Sequence, residues 1–205
     1  VAIGEIGLDF HYDFSPRDIQ ARVFKVQIEI AQRRNLPIVI HTRESNEETI
    51  KIVEEALAAD RHWRSQMSTP QSRYPAPKGV FHCFSGDPTL AWKVINMGFY
   101  VSLPGVVTFK NAGFAAGVAA KVSVEHFLLE TDSPYLAPVP HRGKRNDPSN
   151  IPFIVGKIGA LQHLSIEGVG RARNYNAYKL CGIGRRGTPQ IAYKLKNWLY
   201  VNVTI

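Results

Sequence analysis

Four residues of chemically useful type stand at comparable places in the chain: Glu5, His41, His82 and Asp132. Each follows a short apolar run. Val1-Ala2-Ile3-Gly4 precedes Glu5, Leu36-Pro37-Ile38-Val39-Ile40 precedes His41, and Gly79-Val80-Phe81 precedes His82. Phe127-Leu128-Leu129 runs into Glu130-Thr131-Asp132, and Pro134 stops the segment. Short apolar runs of this kind predict strands buried on both faces, as in parallel sheets. The carboxyl ends of such strands are where α/β sheets and barrels place their chemistry. Two imidazoles and two carboxylates on one rim make a site for a divalent metal. Taken singly, a histidine after a strand is more often a hydrogen-bonded structural residue, and Asp before Ser-Pro is a common turn start. Four in equivalent positions favour the metal. In a hydrolytic reaction Asp132 would accept a proton from the attacking water or orient it, while the metal stabilises developing charge.

Other candidates lie on the same rim. Arg43 follows His41 closely enough to reach a phosphate. His141, Arg142 and Lys144 follow the last strand, a region that often binds phosphate in barrels. Cys83, beside His82, is expected to pack rather than act as a nucleophile.

The elements that must position these groups alternate. Ser15-Pro16-Arg17-Asp18 predicts a helix start, with Ser15 as N-cap, Pro16 at the first helical position and Asp18 in a capping-box position. Ile19, Val23, Val26 and Ile30 then recur at helical spacing, as a core stripe would. A second helix is expected over 44–60, with Ile50, Val53 and Leu57 on one side. Residues 61–78, rich in Pro, Ser, Gln and Arg, predict an exposed loop. Asp87-Pro88 opens a further helix carrying Leu90, Val94 and Ile95. Phe99–Ser102 is the fourth strand and Phe127–Glu130 the fifth, and Asp147 before Pro148 is the N-cap of the next helix. Such alternation argues for a parallel sheet, open or closed into a barrel.

Composition agrees with one globular domain. The 205 residues are 44% hydrophobic and 20% charged, ordinary values for a soluble protein. No run is long and apolar enough to span a membrane. Two cysteines and no signal peptide predict a reducing, cytoplasmic setting. The net charge of +8 is concentrated in two places. Segment 61–78 holds Arg61, Arg64, Arg73 and Lys78 without an acid, and segment 184–205 holds Arg185, Arg186, Lys194 and Lys196 without one. The excess therefore lies in an insertion and a tail, so charge alone is weak evidence for a nucleic-acid groove.

Longer motifs carry a resemblance. Gly4-Glu5-Ile6-Gly7-Leu8-Asp9, Ile40-His41-Thr42-Arg43, His82-Cys83-Phe84-Ser85-Gly86 and Glu130-Thr131-Asp132-Ser133-Pro134-Tyr135 resemble successive motifs of the TatD family of metal-dependent deoxyribonucleases. The segments 100–110 and 137–144 resemble its YcfH-type branch, and the match extends over about 1–183, leaving 184–205 as a basic tail outside it. The resemblance implies an α/β fold of the (β/α)8 TIM-barrel, amidohydrolase type that hydrolyses phosphodiesters of DNA. It implies Glu5 bridging two metals, His41 and His82 completing one, and Asp132 serving the other. It also implies Mg²⁺, whereas two imidazole ligands favour Zn²⁺ or Mn²⁺ on ligand softness.

The family's opening His-x-His strand has no counterpart here, and five of eight βα units are present. Five strands cannot close such a barrel. Val1–Glu5 and Phe127–Thr131 are thus expected as sheet edges that invite self-association, with weak or absent nuclease activity in the truncated chain. Two other functions stay open: a metal-dependent hydrolase of another ester or amide bond, and an inactive relative that only binds nucleic acid.

Overall fold

The computed structural model describes residues 1–66 and 75–183, with the backbone of two further strands at Ala192–Leu195 and Trp198–Val201. Strands β1 (Ile3–Asp9), β2 (Ile38–Arg43), β3 (Gly79–Phe81), β4 (Phe99–Leu103) and β5 (Phe127–Leu129) form one sheet in sequential order. The β1–β2, β2–β3 and β3–β4 pairs are parallel. Helices α1 (Arg17–Arg33), α2 (Asn46–Ala59), α3 (Pro88–Asn96), α4 (Phe114–Lys121), α5 (Ile151–Gln162) and α6 (Ile166–Cys181) fall between or after the strands. The expected βα alternation is therefore present, with β1 and β5 as the end strands of the described sheet. Strands β6 (Ala192–Leu195) and β7 (Trp198–Val201) pair antiparallel. No described helix is long and apolar enough to cross a membrane.

The chain divides into two compact units. The first comprises Val1–His82, Lys93–Val101 and Lys179–Gly182; the second comprises Cys83–Trp92, Ser102–Tyr178 and the chain from Ile183. In the first, Ile6 and Leu8 of β1, Ile38 and Ile40 of β2 and Phe81 of β3 are buried together with Phe24, Ile28 and Ala31 of α1 and Ile52 and Val53 of α2. Removing such side chains from water is the main stabilising term, about 1.5–3 kcal/mol each.

Two expectations for this unit fail in instructive ways. Helix α1 begins at Arg17, no side chain caps it, and Ser15 lies outside it. Its core stripe is also the other one. Val23, Val26 and Ile30 are 47%, 49% and 43% exposed, whereas Phe24, Ile28 and Ala31 are at most 1% exposed. Both sets satisfy helical spacing, and the larger Phe24 faces inward.

The segment after α2 is not simply an exposed loop. Trp63 is only 2% exposed, and its indole N–H donates to the Leu36 carbonyl at 3.0 Å. Arg64 donates to the carbonyls of Pro77, Asn35 and Leu180 at 2.5, 3.3 and 2.9 Å. Burial pushes the pKa of Arg64 down, partly offset by Cys181. Burial, then the charge of Arg64, does the same to Lys78. Arg64 thus serves the fold, since buried donors must be satisfied. Arg73, and the side chains of the basic tail, lie outside the described residues.

In the second unit Phe127, Val118, Ile154, Ile158 and Val169 are buried. Asp87 does open α3, accepting the Leu90 N–H at 2.7 Å. Asp147 caps the short 3-10 turn Pro148–Asn150 that leads into α5, accepting the Ser149 N–H at 2.8 Å. Asn176 on α6 donates to the carbonyls of Val124 and Phe127, both at 2.9 Å, which fixes the entry to β5.

Candidate metal centre

Strand β1 does not end at Glu5 but runs on to Asp9, so Glu5 lies inside it, where the β1–β2 register shifts between Ile3 and Ile6. Beyond the shift Gly7 pairs with His41 and Asp9 with Arg43. Paired residues on parallel strands point to the same face, and alternation puts Gly7, Asp9, His41 and Arg43 together. His82 follows β3 directly, and its N–H donates to the Ile40 carbonyl at 2.9 Å, which locks it beside β2.

The sheet thus brings three of the four sequence candidates together. Glu5 Oε1 lies 2.7 Å from His82 Nε2 and 3.0 Å from His41 Nδ1, and the two ring nitrogens are 3.2 Å apart. Among the described residues these three form a group able to hold a metal ion. Two of the three separations, 3.0 and 3.2 Å, match the spacing of ligands around one ion, while the 2.7 Å approach of Glu5 to His82 is tighter, at hydrogen-bond length. Ligands about 2.1 Å from a tetrahedral or octahedral ion lie roughly 3.0–3.4 Å from each other. The side chains grade from Glu5, 52% exposed, through His41 at 31%, to His82 at 12%. One side of the group is therefore open to solvent, as a site that must admit water requires.

Sequence reasoning missed Asp9. Its Oδ2 lies 3.1 Å from His41 Nε2, the ring nitrogen facing away from the three-ligand group. Its Oδ1 accepts the backbone N–H groups of His11 and Tyr12 at 3.0 and 3.1 Å. Burial by itself would raise the pKa of Asp9. The hydrogen bonds from Tyr12, His41 and His11 outweigh it, so the carboxyl is held below its ordinary value. Asp9 ends both strand β1 and the Gly-Glu-Ile-Gly-Leu-Asp motif, and that terminal position was the available signal.

The remaining candidates have these surroundings. Arg43 stacks over the Tyr12 ring, its guanidinium carbon 4.8 Å from the centroid. Tyr12 in turn stacks on Phe14, with ring centres 5.1 Å apart. Asp132, His141, Arg142 and Lys144 belong to the second unit. Strand β5 stops at Leu129 rather than Glu130, so Asp132 stands three residues beyond it, in a left-handed backbone conformation with φ of 54°. Its loop is tied down by buried Asn146, which donates to the carbonyls of Thr131 and Tyr135, both at 2.7 Å. Glu130 is a structural acceptor, taking the Ser102 hydroxyl at 2.6 Å and the Cys83 N–H. Arg142 lies 3.9 Å over the Phe109 ring, and His141 meets Phe153 edge-on at 4.9 Å. The Lys144 N–H donates to the His141 carbonyl at 3.1 Å. The basic loop is thus anchored to its own unit.

The family described as TatD related DNase matches residues 1–182. The uncharacterized metal-dependent hydrolase YabD of Bacillus subtilis is 39% identical over 180 residues, covering 88% of this chain and 64% of that protein. The uncharacterized metal-dependent hydrolase YcfH of Escherichia coli K12 is 35% identical, covering 88% of this chain and 62% of its own length. The chain thus spans less than two thirds of either relative. Among solved structures, YJJV, a TatD homologue from Escherichia coli K12, superposes with a TM-score of 0.75 at 25% identity, covering 90% of this chain and 64% of that one. The fold class is α/β of the TIM-barrel type, with five sheet strands among the described residues.

Proposed function

The chain belongs to the TatD-related DNase family, and on that premise we propose that it is a metal-dependent deoxyribonuclease, hydrolysing phosphodiester bonds of DNA. The carrying observation is the mutual approach of Glu5, His41 and His82 within 2.7–3.2 Å. Glu5 contributes a carboxylate oxygen and the two histidines one ring nitrogen each. When bound, a divalent ion supplies Lewis-acid chemistry, lowering the pKa of water and stabilising charge on the phosphate. Mg²⁺ is the ion the family suggests, while the two imidazoles suit Zn²⁺ or Mn²⁺ better. Asp132 takes a proton from the attacking water or orients it. Arg43 stacks by its guanidinium face, which leaves the N–H edge for a phosphate. His141, Arg142 and Lys144 add phosphate contacts of the same kind.

The test is cleavage of labelled DNA by the purified chain with Mg²⁺, Mn²⁺ or Zn²⁺, repeated with a chelator. Cleavage should stop on chelation and should be at least about a hundredfold slower in Asp132→Asn, the scale of a lost general base. The circular dichroism and melting of that variant should match the parent. Because five strands do not close the barrel, cleavage by this chain is expected to be weak, and the assay runs at high protein concentration with long incubation. DNA left intact even then by folded, metal-saturated parent protein would contradict the nuclease reading, and unchanged rates in Asp132→Asn would remove Asp132 from it.

The same chain carries a surface suited to self-association. Val23, Val26 and Ile30 make an exposed apolar stripe on α1, and β1 is an end strand of the described sheet. Exposed apolar stripes and strand edges both favour pairing with another chain. Sedimentation should therefore show a concentration-dependent dimer that Val26→Glu shifts toward monomer. A parent protein that stays monomeric at high concentration would rule this out.

A further inference from the structure

We propose that Asp9 is a positioning residue for the metal centre, holding the His41 ring so that Nδ1 faces the ion. The inference rests on the reading of Glu5, His41 and His82 as metal ligands, and it assigns a fourth residue to the site. His41 has two ring nitrogens with separate surroundings. Nδ1 lies with the ligand group, 3.0 Å from Glu5 Oε1 and 3.2 Å from His82 Nε2. Nε2 lies 3.1 Å from Asp9 Oδ2. An imidazole that gives one nitrogen to a metal carries its proton on the other, and that N–H needs an acceptor. A carboxylate is the strongest acceptor available, because a charge-assisted hydrogen bond is roughly twice as strong as a neutral one.

Asp9 is itself held in place by bonds that do not involve His41. Its other oxygen accepts the His11 and Tyr12 N–H groups at 3.0 and 3.1 Å. Its backbone N–H donates to Gln20 Oε1 at 2.9 Å, and Gln20 Nε2 donates back to the Asp9 carbonyl at 3.1 Å and to Ser15 O at 2.8 Å. Gln20 stands one turn before Phe24 and two before Ile28, inward-facing residues of α1. The core of the unit is thus linked through Gln20 and Asp9 to the ring of His41. A carboxylate needed only to end the turn would use Oδ1 alone.

Asp9→Asn separates the two roles. The side-chain oxygen still accepts from His11 and Tyr12, while the amide N–H₂ now faces His41 Nε2. That nitrogen must then accept, which moves the ring proton to Nδ1, where a metal would have to bind. Calorimetric titration with Zn²⁺ alone should show affinity falling about 10–100-fold, the usual cost of losing such a partner. Melting in the presence of chelator should match the parent protein. Unchanged Zn²⁺ affinity in a folded Asp9→Asn overturns the proposal while leaving the three-ligand site standing. Failure of the parent to bind Zn²⁺ overturns the site and the proposal together. A second measurement needs no variant. Nitrogen-15 spectra of the Zn²⁺-loaded parent should show His41 protonated at Nε2 and shifted by metal at Nδ1, and the reverse tautomer overturns the proposal.

Discussion

Gly7→Ala should lower the melting temperature by about 10 °C or more, corresponding to roughly 3–5 kcal/mol in a chain of this size. Gly7 has φ of +143°, a conformation essentially confined to glycine. A Cβ there would lie 2.0 Å from the His41 carbonyl oxygen and 3.1 Å from its nitrogen. The obstacle is backbone on both sides, so no side chain can swing away. Strands β1 and β2 would have to part at the pair that carries His41, with Glu5 and Asp9 on either side of it in sequence. Zn²⁺ affinity should fall along with stability. Gly156→Ala is the control, because nothing lies within 4 Å of the added methyl and alanine favours a helix by about 0.5–1 kcal/mol. Equal melting of the two variants would show that β1 and β2 do not approach each other this closely.

His82→Ala should lower metal affinity at least about a hundredfold, since even outer partners of ligands are worth 10–100-fold. His82 is the most enclosed of the three side chains, 12% exposed, so water would replace it poorly. The effect is visible without catalysis. An ion at a hundred times its dissociation constant stabilises the native state by about 2.7 kcal/mol, or roughly 5–10 °C in melting temperature. The parent should show that shift with Zn²⁺ and His82→Ala should not. A shift of the same size in both would place the ion elsewhere.

Much of this site was legible in the sequence because strand ends are marked by a change of chemistry. Apolar runs broken by His41 and His82 located both strands: β3 stops where His82 begins, whereas β2 starts at Ile38 and runs through His41 to Arg43. The caps at Asp87 and Asp147 were equally plain, because Asp before proline satisfies the first free N–H groups of a helix. Glu5 was legible as a carboxylate after an apolar run, but the strand end was not, because Ile6 and Leu8 carry the apolar pattern on to Asp9. The inward face of α1 was not legible. Val23, Val26 and Ile30 and the set Phe24, Ile28 and Ala31 obey the same period, and contact with the sheet decides between them. Trp63 was hidden by composition, for a loop rich in polar residues can still send one indole into the core. Asp9 was hidden by its role, since its partner His41 lies 32 residues away on the neighbouring strand.

The position of the ion is measured most directly by anomalous diffraction from crystals of the chain grown with Zn²⁺. A single strong peak should lie about 2.0–2.2 Å from Glu5 Oε1, His41 Nδ1 and His82 Nε2, the normal range for such bonds. A peak bound elsewhere, or none at these three atoms under saturating Zn²⁺, would contradict the metal centre.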